Sequence, residues 1–199
     1  MDAVSASSRS TSVAVCICTF RRTRDLRRLL DSLAELTFES GDPPRVSVVV
    51  VDNDPEGTAE QTVEAFRGTY RWPLTYALER RPGIPQARNC CLANVERETD
   101  FVCFVDDDEV VEPAWLDRLL STQRDFDADV VAGPVLPLLP PEAPAWARAG
   151  CLFVWARHRT GETIGEAATG NVLFRRELPR RHHIHFNEAM ALTGGTDKL

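Results

Sequence analysis

The sequence predicts one α/β domain with a mostly parallel central sheet flanked by helices. Two observations carry the prediction. Short β-branched apolar runs, VAVCICT at 13–19, RVSVVVV at 45–51 and FVCFV at 101–105, alternate with segments in which leucines recur every three or four residues. Each run also ends in polar or acidic residues, and open parallel sheets bind their ligands in the crevice beyond the carboxyl ends of their strands. The chain of 199 residues can bury one substantial core but is too short for two full-sized domains.

The elements follow in order. The run at 13–19 reads as a strand buried on both faces, and the polar loop 20–23 ends it. Leu26, Leu29, Leu30, Leu33 and Leu36 then lie on one stripe of a helix. The second strand ends in Asp52, Asn53 and Asp54, and Thr58 with Gln61 has the spacing of a capping box for a helix to about Tyr70. A weaker strand at 74–78 and the turn Arg81-Pro82-Gly83 precede a helix with an apolar face of Ile84, Ala87, Cys91 and Val95. The fourth strand runs directly into Asp106, Asp107, Asp108 and Glu109. Pro113 suits the first turn of a following helix that carries Leu116, Leu119 and Leu120. Beyond Val130 the prolines at 134, 137, 140, 141 and 144 predict irregular, substrate-facing chain, and the next clear strand is 171–175.

Composition narrows the function. With 23 basic and 30 acidic residues the formal charge is −7, so no general basic field exists to hold a nucleic-acid backbone. Six cysteines lie in or beside apolar runs without a CxxC pair, which predicts buried thiols in a reducing, cytoplasmic setting. Residues 1–12 are small and polar and read as a frayed tail with neither a leader nor an anchor. No stretch is long enough to span a bilayer, while Trp115, Trp146 and Trp155 leave room for peripheral contact with the membrane's inner face.

The chemistry gathers at strand ends. Four carboxyls at 106–109 repel one another unless a cation neutralises them, and hard oxygen donors suit Mn2+ or Mg2+, which also bridge diphosphate oxygens. A solvated acidic loop capping the next helix is the alternative. Asp52 and Asp54 fall on the same sheet edge, where a carboxylate can accept from a base N–H or ribose hydroxyl, although VDNDP is also a good turn sequence. Thr19, Arg21 and Arg22 after the first strand and Arg88 in the third helix offer cations to a diphosphate. His182, His183 and His185 read as a polar connection rather than metal ligands, with Pro179 and its neighbouring arginines favouring a loop there.

Taken together, TFRR, VVVVDND, GIPQARN, FVDDDE, TGNVLFRRE and TGGTD resemble the family 2 glycosyltransferases of the GT-A fold, from about Val13 to Asp197. The resemblance implies a Rossmann-like domain over 13–199, with a nucleotide-binding half at 13–110 and an acceptor-side half at 111–199 that stops short of the family's usual length. It puts FVDDDE in the place of the DxD motif, so that Asp106 would face the ribose or the metal and Asp108 would bind the metal-diphosphate. Thr19, Arg21 and Asp52 match positions that hold the base and ribose, and Arg88 matches a nearby cation. Asp54 and Asp107 join that nucleotide-sugar-binding set, while Gly170 and Asn171 resemble the loop and strand shaping the donor-sugar and acceptor side. Asp197 falls where the family puts its catalytic base, with Thr196 in place of an adjacent acid.

The implied activity is inverting transfer of a sugar from a UDP- or GDP-sugar to a hydroxyl of a saccharide or lipid-linked acceptor. Two other classes stay open: a metal-dependent nucleotidyltransferase, against which CTFRRTRD lacks a glycine-rich phosphate loop, and a non-catalytic nucleotide-sugar-binding module.

Overall fold

A computed structural model of the protein describes residues 10–149, 158–182 and 185–190. Six strands, β1 (Ser12–Thr19), β2 (Arg45–Asp52), β3 (Leu74–Leu78), β4 (Phe101–Val105), β5 (Val130–Ala132) and β6 (Asn171–Arg175), form one sheet in the order β3-β2-β1-β4-β6-β5. β1 pairs in parallel with β2 and β4, and β2 with β3. β6 is antiparallel to both β4 and β5, which makes it the one reversed strand among the described residues. The mostly parallel α/β sheet expected from the alternation is the architecture found.

Strand alternation sends successive side chains of β1 to opposite faces. Val13, Val15 and Ile17 pack with the leucines of α1 (Thr23–Ala34) and with Leu116, Leu119 and Leu120 of α4 (Trp115–Phe126). Leu26, Leu29, Leu30 and Leu33 are fully buried there, each stabilising the fold by about 1.5–3 kcal/mol relative to exposure. On the other face Ala14 and Cys16 meet Ala87 and Cys91 of α3 (Ile84–Asn94). Cys18 continues that row, its sulfur 3.6 Å from that of Cys91. The hydrogen bond to Cys91 and burial push the Cys18 thiol well up, and burial with a bond from Cys16 does the same for Cys91, so both behave as the small neutral hydrophobes expected.

Several local expectations differ from the structure. β1 begins at Ser12, inside the segment read as tail, because the Ser12 backbone N–H and hydroxyl both donate to Asp100 Oδ2, at 2.8 and 2.7 Å. The capping box is not made: Thr58 turns its hydroxyl to Asp54 Oδ2 at 3.0 Å, and α2 (Glu60–Glu64) is short, giving way to turns before Tyr70. β5 lies in chain read as irregular; its three residues take their strand state from pairing with β6, too short a run to show a period of its own. Pro179 sits within α6 (Glu177–Arg181), tolerated because first-turn residues need no intrahelical N–H partner. Pro113 lies in the turn that leads into α4. A short helix α5 (Ala145–Ala149) follows the proline-rich stretch.

Candidate active site

The carboxyl ends of β1, β2 and β4 lie side by side, as parallel pairing requires, with Thr19 in register with Asp52. The Asn53 N–H donates to the Thr19 carbonyl at 2.8 Å, locking the two strand ends together. Asn53 reaches further: its amide nitrogen donates to the carbonyls of Glu79 and Arg81, and its oxygen accepts from the Gly83 N–H at 2.9 Å. Gly83 has φ +135°, a value that only glycine adopts readily, so the turn can deliver its N–H to Asn53 immediately before α3.

Asp52 and Asp54, both fully buried, organise the loop after β2. Asp52 accepts from the N–H of Asp54 at 3.0 Å, the N–H of Ala59 at 2.7 Å and the hydroxyl of Tyr76 at 3.2 Å. Asp54 accepts from Arg21 Nε at 3.0 Å and Nη2 at 3.3 Å, and from the Thr58 hydroxyl and Glu56 N–H. The Arg21 guanidinium holds the Asp54 carboxyl below the usual carboxylate range. Arg21 itself takes φ +56°, the left-handed turn that swings the chain from β1 towards Asp54.

The end of β4 is built differently. Asp107 points inward, accepting the Thr19 hydroxyl at 2.7 Å and Arg22 Nη1 at 3.1 Å. Burial pushes its carboxyl up, against the pull of Thr19 and Arg22. Asp106 and Asp108 flank it with side chains about half exposed, at 50% and 51%. Arg22 Nη1 also reaches Asp108 Oδ2 at 2.6 Å. Arg88, buried on α3, stands 3.9 Å from Asp106 and over the Phe186 ring. Glu109 is pushed up to about 8, first by burial and then by the negative charges of Asp106 and Asp108.

Gly170 closes this corner. A Cβ there would come within 2.8 Å of Glu109 Oε1 and 3.1 Å of Asp106 Oδ2, so a larger residue would push those carboxylate ends aside. Asn171, next in sequence, faces elsewhere: its oxygen accepts from Trp115 Nε1 and its nitrogen donates to the Pro134 carbonyl, both at 2.9 Å.

The residues expected from sequence therefore divide. Thr19, Arg88, Asp106, Asp107, Asp108 and Gly170 come together around the end of β4. Arg21, Asp52 and Asp54 form their own bonded group at the end of β2, and Asn171 supports the sheet behind. Asp197 and His183 lie outside the described residues. Pattern reading missed Tyr76 as a partner of Asp52, Arg22 as the bridge between Asp107 and Asp108, and Phe186 beneath Arg88. Only Arg22 had a visible signal, its place in TFRR beside Arg21.

A divalent cation fits the donor chemistry of Asp106 and Asp108, two hard-oxygen side chains open to solvent beside a buried cation that can face phosphate. Among the described residues no group of three or more His, Cys, Asp or Glu side chains stands ready to enclose a metal alone. Two protein carboxylates with the remaining positions left to phosphate oxygens and water is the arrangement usual for magnesium.

A parallel sheet with a reversed β6 and an acidic corner beyond β4 is the GT-A glycosyltransferase architecture. The chain matches the family model described as "Glycosyl transferase family 2" over residues 14–181, and it belongs to that family. It is 37% identical over 192 residues to the succinoglycan biosynthesis protein ExoM of Rhizobium meliloti, covering 93% of this chain and 58% of that one. Among solved structures it resembles S. aureus TarS 1–349 with a TM-score of 0.67 at 22% identity, covering 91% of this chain and 52% of that one. It also resembles the mannosyltransferase PcManGT of Pyrobaculum calidifontis in complex with GDP-Man and Mn2+, with a TM-score of 0.63 at 20% identity, over 88% and 47% of the two chains. At these identities the structural likeness is one of fold. The chain spans somewhat over half the length of ExoM and about half that of TarS 1–349.

Proposed function

We propose that the protein is a glycosyltransferase of polysaccharide or glycoconjugate biosynthesis, transferring a sugar from a UDP- or GDP-sugar to a hydroxyl of a saccharide or lipid-linked acceptor with inversion. The observation that carries the reading is the pair Asp106 and Asp108, open to solvent at the end of β4, with the buried Arg88 and the close wall of Gly170 beside them. ExoM is named for succinoglycan biosynthesis, TarS 1–349 has been solved with UDP-GlcNAc, and PcManGT with GDP-Man and Mn2+, which support a nucleotide-sugar donor and a metal.

In this reading Asp108 and Asp106 hold Mn2+ or Mg2+. When bound, such a cation stabilises negative charge on a departing diphosphate. Arg88 adds a fixed positive charge near the same oxygens. Asp107, tied to Thr19 and Arg22, keeps the acidic turn in register with β1. Gly170 presents uncrowded backbone to the sugar, and Asp197 takes the acceptor proton as general base. The bonded group of Asp52, Asp54 and Arg21 supports the rim on which the base and ribose rest.

Among the described residues no helix is long and apolar enough to cross a membrane. A cytoplasmic setting fits the neutral thiols. Peripheral contact with a membrane would fall to Leu138 and Trp146, which are 70% and 63% exposed. Incubation with Mn2+ and a panel of nucleotide sugars tests the proposal. Release of nucleoside diphosphate with transfer of the sugar is the expected result. Release of pyrophosphate, or binding without release, would overturn it.

A further inference from the structure

Arg22 links the start of α1 to the acids beyond β4. Its backbone is the N-cap of α1, and its carbonyl accepts from the Leu26 N–H at 2.9 Å, so the main chain is set by the helix whatever the side chain does. The side chain turns back from the helix to the acids. One nitrogen, Nη1, lies 3.1 Å from Asp107 Oδ1 and 2.6 Å from Asp108 Oδ2. The two contacts are not equivalent. Asp107 is buried and has a second anchor in Thr19, whereas Asp108 is half exposed and draws its ion pair, among the described residues, from Arg22.

An arginine side chain is always charged, so the guanidinium is a permanent positive charge at the acid turn. A divalent cation approaching Asp108 meets a guanidinium already seated on that carboxylate, and the like charges repel at a separation of a few ångströms. Arg22 is also 53% exposed, free of the close packing that would keep a side chain from swinging aside.

Resting on the proposed metal role of Asp106 and Asp108, we infer that Arg22 is the built-in competitor of the metal: its guanidinium neutralises Asp108 and must leave it before a divalent cation can bind. Arg22 thereby sets the metal affinity of the site. It is a positioning residue, acting through Asp108. The device makes metal capture depend on a second anion, because a nucleoside diphosphate offers the displaced guanidinium a new partner. Metal alone binds weakly, and metal with a nucleoside diphosphate binds well.

The test is a Mn2+ titration of the full chain, followed by the electron paramagnetic resonance signal of free Mn2+, with and without UDP. Arg22→Gln keeps a hydrogen-bonding side chain and removes the charge. It is expected to lower the Mn2+ dissociation constant about three- to tenfold without UDP, and by less with UDP present. Arg22→Lys keeps the charge and is expected to stay within about twofold of wild type. Mn2+ binding to R22Q no tighter than to the unsubstituted protein would overturn the inference while leaving the metal site standing. No Mn2+ binding to either protein, even with UDP, would overturn the metal reading itself and this inference with it.

Discussion

Two acidic strand ends, VDND after β2 and VDDD after β4, look alike in sequence and are set differently in the fold. At the end of β2 both Asp52 and Asp54 are fully buried, and each accepts at least three hydrogen bonds from its own neighbourhood. At the end of β4 the middle acid, Asp107, is buried and accepts from Thr19 and Arg22, while Asp106 and Asp108 keep about half of their side-chain surface in water. A carboxylate whose lone pairs are filled by backbone N–H groups holds a loop together. One whose side chain stays half in water has surface left for a ligand. The first turn is thus bonded within the fold, while the second turns its outer acids toward solvent, where the proposed function puts the metal.

The sharpest way to break the contrast is to exchange the effects. Asp108→Asn is expected to lower turnover by about a hundredfold or more, with little change in melting temperature, because it removes a ligand-facing charge and no internal backbone bond. Steady-state diphosphate release checks the first half and a thermal melt the second. Turnover within a few-fold of wild type would place the chemistry elsewhere.

Asp52→Ala should do the reverse. It strands the buried N–H groups of Asp54 and Ala59, each costing about 1–3 kcal/mol, so a loss of roughly 2–4 kcal/mol is expected in urea denaturation. A variant as stable as wild type that bound nucleotide far more weakly would show Asp52 to be a ligand contact after all.

Glu109→Gln gives the smallest effect, and a pH-dependent one. The folded protein holds the Glu109 proton up to about pH 8, while the unfolded chain releases it near 4.5. Between those values the native state carries the extra proton, so this residue makes stability fall as pH rises. The glutamine variant lacks that slope. Its advantage over wild type should be near zero at pH 4.5 and reach about 1–2 kcal/mol by pH 8, allowing for solvent screening. Melting temperatures at the two pH values, without added metal, measure it; an advantage that shrinks with rising pH would mean that Glu109 is ionised in the fold.

Much of this was legible beforehand, for identifiable reasons. β1, β2 and β4 are buried on both faces, so nearly every residue in them is apolar and no register had to be guessed. The leucine stripe of α1 has one face to bury and buries it. The acidic turn after β4 was legible because four adjacent carboxyls are hard to explain by packing alone. Thr58, by contrast, had two partners within reach, the start of a helix and Asp54, and local spacing cannot weigh a helix cap against a partner in the preceding turn. β5 was hidden because three residues carry no period, and the bonds of Asn171 were hidden because its partners, Trp115 and Pro134, are remote in sequence.

By itself the sequence determined the alternating α/β order, the strands that lie at the centre and the edge of the sheet on which acids accumulate. Each of these follows from hydrophobic period and chain direction, which are local properties. The tertiary structure alone decided which acids are buried among internal partners and which stay half exposed. That outcome depends on Tyr76, Thr19, Arg21 and Arg22 arriving from other elements, and a hydrogen bond between distant residues leaves no trace in local spacing.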